Sequence, residues 1–477
     1  PKPAVSITNN EAQYVNIKGM TRVGGIAGIA HQGNVFKKNT LNEVNIYAVQ
    51  PEGYNGDDAD TIGQIAGACQ GTSSNPVTFE QCIATVTTVF LNGEVYTEAS
   101  EYGGSITGTT PVTNYVARIG TGIYFTSLAD ALKAARDRDT IELISGDKPI
   151  SAAGSVVGKT VTITGEAVFD WSKGWLYVGR NEDGGASDGK LIFENATITS
   201  TEESLKNGSY GIHVSMAEYG AEDKKMNGEV VFKNSTVDLS YLMGKNNVTV
   251  DGGKLTVWYG FAVGARPASE TNNVQNTATM TVKNGAVVEV KNHNGMGVGY
   301  ESKGVLTVES GATFKYTGAA LTVTENGTVN VNGGTFIATE VARASGGIVS
   351  ISGESTVQID KYDGAAARIE DGAVLTNSWI KSTNNGTTRI YGDVTFKGGF
   401  ETAYLTTADA DQNGRGGTIT IEDGTTVKAT YGVDLRNNYT IDGGTIELSG
   451  GNTSGKIWGF VFQSGDTFTV NLSLIHI

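Results

Sequence analysis

The sequence predicts an all-β protein in which short strands stack as a parallel β-solenoid. The 477 residues include 65 glycines and only 7 prolines, without the Gly-x-y period of collagen, which indicates many turns between short segments. One phrase also recurs, made of a segment that alternates apolar and polar residues, a small or polar turn, and a second such segment. Alternation predicts strands, and recurrence at intervals of roughly two to four dozen residues predicts stacked repeats.

The recurring phrase dominates the chain from Leu191 onward. Its instances are "LIFENATITS" at Leu191, "VVFKNSTVDL" at Val230, "VTVDGGKLTV" at Val248, "MTVKNGAVVEV" at Met280, "LTVESGATFKY" at Leu306, "VNVNGGTFIA" at Val329, "VSISGESTVQI" at Val349, "ITIEDGTTVKA" at Ile419 and "YTIDGGTIEL" at Tyr439. Asn-Gly and Asp-Gly between strands often form hairpins. Here the spacing favours a turn that bends the chain between adjacent faces without reversing it, so that Thr, Asn and Val stack about 4.8 Å apart.

A short amphipathic helix is predicted near 127–136, where it would cap the exposed end of the solenoid. Ser127 is a suitable N-cap, with Asp130 three residues later as a weaker form of the capping box. One narrow apolar stripe follows at helical spacing, formed by Leu128, Ala131, Leu132 and Ala135. A strand is expected directly after the helix, at Ile141–Ile144.

The phrase "SLADALKAARDRDTIEL" resembles the start of pectin-lyase-like right-handed β-helices, except that Arg138 stands where glycine is usual. The resemblance implies a right-handed parallel β-helix over 116–471, preceded by its capping helix. The tail 472–477, "LSLIHI", breaks the pattern and is expected to be non-native, so it is left out of the fold prediction.

The first hundred residues contain a different repeat. "VGGIAGIA" at Val23 is echoed by "IGQIAGAC" at Ile62, and "VFKKNTLNEVNI" at Val35 by "TFEQCIATVTTV" at Thr78. These repeats resemble the GLUG-type repeats of bacterial surface proteins, in which a buried Cys or Asn often stands at the positions of Cys82 and Asn39. The resemblance implies a smaller β-solenoid over 1–96, truncated at its N terminus, with 97–115 as a polar linker.

The amino-acid composition argues against some classes of function. The formal net charge of −15 argues against a nucleic-acid partner, which requires basic surfaces, and no apolar run is long enough for a transmembrane segment. The two cysteines, Cys69 and Cys82, are expected to be buried free thiols.

No catalytic residues are predicted. Pectin-lyase-like folds include polysaccharide lyases and glycosidases, but the motifs of polygalacturonases are missing, and the only Asp-Asp pair, Asp57-Asp58, lies in the first repeat segment. The pectate-lyase phrase RxPxxR is also missing, because Glu270 stands where the second Arg would follow Arg266-Pro267. His213 lies inside a strand phrase, where we expect a solvent-facing side chain rather than a general base.

Calcium is the one candidate cofactor. "DADQNG" matches the first half of an EF-hand loop, with Asp409, Asp411 and Asn413 as oxygen ligands. Thr420 occupies the twelfth position, where such a loop has a bidentate Glu, so an ordinary polar loop is the alternative.

The pattern aromatic–Gly–apolar–x–apolar occurs four times, beginning at Tyr210, Tyr259, Tyr431 and Trp458. If these residues occupy comparable bends of successive repeats, their rings could form a column on which sugar rings stack, and Trp171, Trp175 and Trp379 could extend it. The alternative is that the rings cover glycine gaps and pack under loops.

The sequence therefore favours a non-enzymatic extracellular or cell-surface rod, adhesin-like, whose loops bind a polysaccharide or a host surface protein. The alternative is a secreted polysaccharide lyase or glycoside hydrolase of the pectin-lyase-like fold.

Overall fold

The computed structural model describes most of the residues of the chain. They are 6–19, 23–31, 34–48, 64–70, 77–80, 82–85, 88–91, 94–95, 115–120, 123–180, 188–206, 208, 210–214, 227–264, 277–291, 297–299, 303–342, 346–363, 366–382, 386–407, 416–435, 438–448, 460–462, 468–471 and 474–476. The protein is all-β, as predicted, and divides into two compact units: 1–135 with 140–145, and 136–139 with 146–477.

The first unit is built from short strands. They are β1 (Ser6–Thr8), β2 (Glu11–Gln13), β3 (Asn16–Gly19), β4 (Ala27–His31), β5 (Val35–Lys37), β6 (Thr40–Asn42), β7 (Asn45–Ala48), β8 (Ala66–Gln70), β9 (Thr78–Glu80), β10 (Ile83–Thr85), β11 (Thr88–Leu91), β12 (Glu94–Val95), β13 (Ala117–Ile119) and β14 (Ile123–Phe125). The predicted repeats pair in parallel, with Val35 opposite Thr78 and Ala27 opposite Ala66.

A third repeat, which was not predicted from the sequence, stacks on these two. Residues 6–19 pair in parallel with 35–48, so that β1, β2 and β3 lie beside β5, β6 and β7. Phe36, Leu41 and Ile46 are fully buried, and the apolar residues opposite them in 6–19 are partly buried against the same core. Stacking in register explains how three short segments with little sequence identity share one core.

The predicted helix is present as α1 (Leu128–Ala134). The Ser127 Oγ accepts a hydrogen bond from the Asp130 backbone N–H at 3.1 Å, as the N-cap prediction requires. The stripe that the sequence predicted is buried, with Leu128, Ala131 and Leu132 at 0% exposure. The strand predicted after the helix is β15 (Asp139–Ser151), which contributes residues to both units.

The second unit contains longer strands and one short helix, α2 (Glu202–Lys206), besides a 3₁₀ turn at Trp171–Lys173. Its strands are β16 (Gly154–Val156), β17 (Thr160–Asp170), β18 (Leu176–Val178), β19 (Asp188–Ser200), β20 (Gly211–Val214), β21 (Asn227–Gly244), β22 (Asn247–Val263), β23 (Ala278–Lys283), β24 (Val287–Val290), β25 (Gly297–Val298), β26 (Gly304–Glu309), β27 (Thr313–Tyr316), β28 (Leu321–Val323), β29 (Gly327–Asn332), β30 (Thr335–Ala342), β31 (Ile348–Ser352), β32 (Glu354–Asp363), β33 (Ala366–Ile369), β34 (Ala373–Ser382), β35 (Thr387–Ile390), β36 (Val394–Thr407), β37 (Gly417–Ile421), β38 (Thr426–Leu435), β39 (Tyr439–Asp442), β40 (Thr445–Leu448), β41 (Phe460–Phe462), β42 (Phe468–Asn471) and β43 (Leu474–His476).

These strands belong to one large, mostly parallel sheet. The recurring phrase does not form hairpins, as the spacing predicted. In β22 the Gly-Gly turn lies inside a continuous strand, and both halves pair in parallel with β21, with Val250 opposite Phe232 and Leu255 opposite Val237. Parallel pairing on both sides of the turn means that the chain bends there without reversing, which is compatible with a β-helix.

Residues with a left-handed backbone conformation and buried hydroxyl groups lie at the bends inside the long strands. Asn234 and Asn377 have φ values of 49° and 45°, and each is followed by a buried serine, Ser235 and Ser378. Asparagine tolerates this backbone region better than most residues with a Cβ. The inner faces of the sheet carry stacked rings, including Phe193 on Phe232 at a centroid distance of 5.3 Å.

Within the described ranges, no helix has the length and apolar character needed to span a membrane.

Candidate functional site

The best-formed candidate site lies on one face of the sheet, where four neighbouring strand segments run side by side. Leu176, Ile212, Leu242 and Phe261 pair across β18, β20, β21 and β22, and all four side chains are fully buried. Because side chains alternate along a strand, the residues on either side of this apolar row point to the opposite face. That opposite face begins with Trp175 and Tyr177 in the first strand segment.

Trp175 is the centre of an aromatic cluster on this face. Its ring meets those of Tyr210, His213 and Tyr241 in edge-to-face arrangements, with centroid distances of 5.6, 5.4 and 5.6 Å. Edge-to-face contacts at such distances are favourable ring geometries. Tyr177 adds a tilted contact to His213 at 5.8 Å.

Tyr259 extends the cluster along the sheet. Its ring lies 5.2 Å from that of Tyr241 and also covers Gly208, where a Cβ atom would come within 2.4 Å of the Tyr259 ring. We call Trp175, Tyr177, Tyr210, His213, Tyr241 and Tyr259 the aromatic patch. The structure thus brings together Tyr210 and Tyr259, two of the four aromatic residues singled out by the sequence.

Exposure differs within the patch. Tyr210 is 43% exposed, whereas the rings of Trp175, Tyr241 and Tyr259 are half-buried. Half-buried rings on a rigid sheet retain an open surface without the entropy cost of ordering a flexible side chain. Tyr259 thus covers a glycine, as the packing alternative expects, whereas sugar stacking on the exposed ring of Tyr210 stays a prediction.

His213 is the polar residue beneath these rings. Its side chain is only 4% exposed, so the expectation that it faces solvent is wrong: the rings of Trp175 and Tyr177 pack against it. The His213 Nδ1 atom is buried and has no hydrogen-bond partner. Burial, with smaller contributions from the charges of Lys245 and Arg180, lowers the pKa of His213 to about 3, so the imidazole is neutral at physiological pH.

Two cations border the aromatic patch. The Arg180 guanidinium lies over the Tyr177 ring, 4.5 Å from its centroid, a cation–π arrangement. Lys245 is 2% exposed, and its backbone N–H donates to the carbonyl groups of Val214 and Met243. The patch therefore combines apolar ring surface with positive charge.

The other predicted aromatic residues lie elsewhere. Tyr431, in β38, is half-buried and makes no ring contact with a described aromatic side chain, while Trp458 is outside the described residues. Trp171 is fully buried and its Nε1 donates to the Ser200 Oγ at 2.8 Å, so it serves packing. Trp379 donates to Asp360 at 2.9 Å on another strand. A single column of all the predicted aromatics is therefore not formed.

The predicted calcium ligands Asp409, Asp411 and Asn413 lie outside the described residues, and calcium binding there stays a prediction from the sequence. Among the residues that the structure does describe, no group of three or more His, Cys, Asp or Glu side chains could hold a metal ion. Cys82 is buried and free, as predicted, whereas the side chain of Cys69 is outside the described set.

A shallow cavity of about 280 Å³ lies on another part of the second unit, lined by residues that include Lys190, Glu229, Asp188 and Asn227. Its polar groups satisfy one another, since Lys190 bonds to Glu229 at 3.0 Å and Asn227 donates to Asp188 at 2.7 Å. These pairs leave this cavity a weaker candidate than the aromatic patch.

Sequence reasoning missed Tyr177, His213 and Tyr241 as members of the patch. Tyr177 and His213 did carry a signal, because each stands between apolar residues in a strand, at a position where a polar residue is usual. Their proximity depends on which strands become neighbours. Segments of different lengths separate those strands in the sequence.

No protein-family model, curated protein or solved structure matches this chain.

Proposed function

We propose that this protein is a non-enzymatic extracellular or cell-surface rod, adhesin-like, that binds glycans through the aromatic patch. Its second unit would be a right-handed parallel β-helix of the pectin-lyase-like type, with α1 as the capping helix, and its first unit a GLUG-like repeat segment. The large, mostly parallel sheet and the bends without chain reversal support the β-helix. Host surface proteins are the second class of partner for its loops.

The aromatic patch is the observation that carries the proposal. Sugar rings present apolar C–H faces that stack on aromatic planes, and their hydroxyl groups need polar partners at the edge of the stack. The patch supplies both, with the exposed ring and hydroxyl group of Tyr210 and the half-buried ring of Trp175.

A secreted polysaccharide lyase or glycoside hydrolase is the second candidate, favoured by the position of His213 beside Arg180 and Lys245. In a lyase, cations neutralise a substrate carboxylate while a base removes a proton. A general base works best when its pKa is near the working pH. Since the pKa of His213 is lowered to about 3, its imidazole would be a weak base, and we rank binding above catalysis.

The test is to incubate the folded protein with a panel of neutral and acidic polysaccharides. Binding would be followed by isothermal titration calorimetry, and cleavage by the appearance of new chain ends. We expect binding without chain shortening. Chain shortening that a His213→Gln variant abolishes would establish the enzyme, and a folded protein that binds no member of the panel would contradict the proposal.

A further inference from the structure

Two arginines stand side by side on neighbouring strands of the second unit, away from the aromatic patch. Arg368 in β33 pairs in register with Arg389 in β35. Parallel neighbours in a sheet are about 4.8 Å apart at the backbone, so two cationic side chains leave neighbouring strands on the same face. Such an arrangement is unfavourable unless negative charge lies nearby.

Arg368 has its own counter-charge. Its Nε donates to the Glu370 Oε1 at 3.1 Å, and its guanidinium lies 4.2 Å from the centroid of the Tyr391 ring. Ser350 fixes the carboxylate further, because its hydroxyl donates to the same Glu370 oxygen at 2.6 Å. The pair Arg368–Glu370 is therefore neutral, and its contacts with Tyr391 and Ser350 fix its position.

Arg389 has no such partner. No described residue forms an ion pair with the Arg389 guanidinium. This includes Asp434, which pairs in register with Thr406, the residue opposite Arg389 on the next strand. The Arg389 Nε atom is buried and lacks a hydrogen-bond acceptor. A buried donor without an acceptor is costly, and native proteins rarely leave one. The cluster of Arg368, Glu370 and Arg389 carries one net positive charge, in a chain whose net charge is −15.

We propose that Arg389 binds an oxyanion group, the carboxylate or sulfate of an acidic glycan. A planar guanidinium matches such groups with two parallel N–H···O bonds, which compact cations cannot form. The residue is half-buried and its Nε atom is inaccessible, so a ligand would approach the guanidinium from its two Nη atoms while the sheet fixes the stem. Tyr391, two residues later on the same face, offers a hydroxyl group to the sugar. This assignment rests on the proposed glycan-binding function and adds the class of glycan.

The experiment compares a carboxylated polysaccharide, its carboxyl-reduced derivative, a sulfated polysaccharide and inorganic sulfate. Calorimetry on the full chain measures binding of the polysaccharides, and the thermal midpoint measures the response to sulfate. Arg389→Gln removes the charge, Arg389→Lys keeps the charge without the planar fork, and Lys361→Gln removes one charge from an exposed pair with Glu340. The Lys361 variant controls for the change in net charge.

We expect the wild type to bind at least one of the acidic polysaccharides about tenfold more tightly than the reduced derivative, and Arg389→Gln to lose about tenfold in that affinity. Arg389→Lys should recover part of it, Lys361→Gln should bind like the wild type, and binding should weaken with salt. Whether the carboxylated or the sulfated polysaccharide binds more tightly shows which oxyanion the site prefers.

Equal affinity of the wild type for acidic and reduced chains, or unchanged affinity in Arg389→Gln, would overturn the assignment while leaving glycan binding intact. If no polysaccharide binds, the proposed function fails. The response of the thermal midpoint to inorganic sulfate then tests the anion site at Arg389 by itself. A sulfate-dependent rise in thermal midpoint that Arg389→Gln abolishes would support the site. An equal rise in both proteins would refute it.

Discussion

The Ser235 hydroxyl accepts a hydrogen bond from the backbone N–H of Ala196 on the neighbouring strand, at 3.0 Å in the buried interior. The same hydroxyl donates to the Lys233 carbonyl at 3.0 Å. Ser378 repeats the arrangement, accepting from the Val357 N–H at 2.9 Å. A bend inside a strand interrupts the regular ladder of backbone bonds, and these hydroxyl groups supply the missing partners.

Replacing Ser235 by Ala should lower the free energy of unfolding by about 1–3 kcal/mol, because the buried Ala196 N–H then lacks an acceptor. Urea unfolding followed by circular dichroism measures the effect. Ser352→Ala is the matched control, since its hydroxyl bonds to Asn332 at an exposed site, and it should change stability by less than about 0.5 kcal/mol. Equal effects of the two variants would contradict the role assigned to Ser235.

Asn39 should be a critical residue of the first unit. It is fully buried, its Oδ1 accepts from the Asn10 N–H at 3.1 Å, and its Nδ2 donates to the Ile7 carbonyl at 2.9 Å and to the Cys82 Sγ at 3.8 Å. Asn39→Ala removes all of these bonds at once, so we expect a loss of about 2–4 kcal/mol.

The control for Asn39 is Asn45→Ala, which removes an exposed bond to Asn16 and should cost less than about 0.5 kcal/mol. Cys82→Ser should be milder than Asn39→Ala, since a hydroxyl can accept from the Asn39 amide. Protection of backbone amides in residues 35–48, measured by hydrogen exchange, reports this unit separately. If Asn39→Ala leaves that protection unchanged, the bonds contribute little.

Tyr210 provides the cleanest test of the aromatic patch, because it is the most exposed of the patch tyrosines whose burial the structure gives. Tyr210→Ala should weaken glycan binding up to about tenfold, because an aromatic contact contributes about 0.5–1.5 kcal/mol. Tyr431→Ala removes a ring outside the patch and should bind like the wild type. Calorimetry with the best-binding polysaccharide distinguishes the two, and equal loss in both variants would remove the patch from the binding surface.

His213 should make stability depend on pH. Its pKa is lowered to about 3 in the folded protein, while in the unfolded chain it is near the ordinary 6.5. Folding then favours the neutral form, so its contribution is fully present above pH 6.5 and is lost as the pH falls from 6.5 towards 3. The slope would be about 1.4 kcal/mol per pH unit.

The measurement is urea unfolding between pH 7 and pH 4 for the wild type and for His213→Phe, which keeps a ring between Trp175 and Tyr177. The carboxylates titrate in both proteins, so the difference between the two curves isolates the imidazole. We expect the wild type to lose stability relative to the variant below pH 6.5. Parallel curves would mean that His213 titrates normally in the folded chain.

Several elements were predictable because their signals are local. The N-cap at Ser127 and the buried stripe of α1 follow from residue spacing alone. The pairing of Val35 with Thr78 follows from an echo of apolar and small residues at equal offsets. The repeat at 6–19 was missed because it shares only the spacing of a few apolar residues with 35–48 and has few residue identities.

The site was predictable only in part. The phrase that begins with Tyr210 and Tyr259 identified two members of the patch, yet Tyr431 carries the same phrase and lies apart from it. Neither the burial of His213 nor the missing hydrogen-bond acceptor of the Arg389 Nε could be predicted from the sequence. Each depends on atoms contributed by other strands.

The sequence by itself determined the strand class, the bends and the helix, since alternation, turn residues and capping act over a few neighbouring residues. Only the tertiary structure decided which side chains stand next to one another across strands, placing Trp175 among Tyr210, His213 and Tyr241, and Arg389 beside Arg368. The physical reason is that sequence segments of unequal length separate the paired strands. Contacts between strands depend on the register of the whole sheet, which no short stretch of sequence encodes.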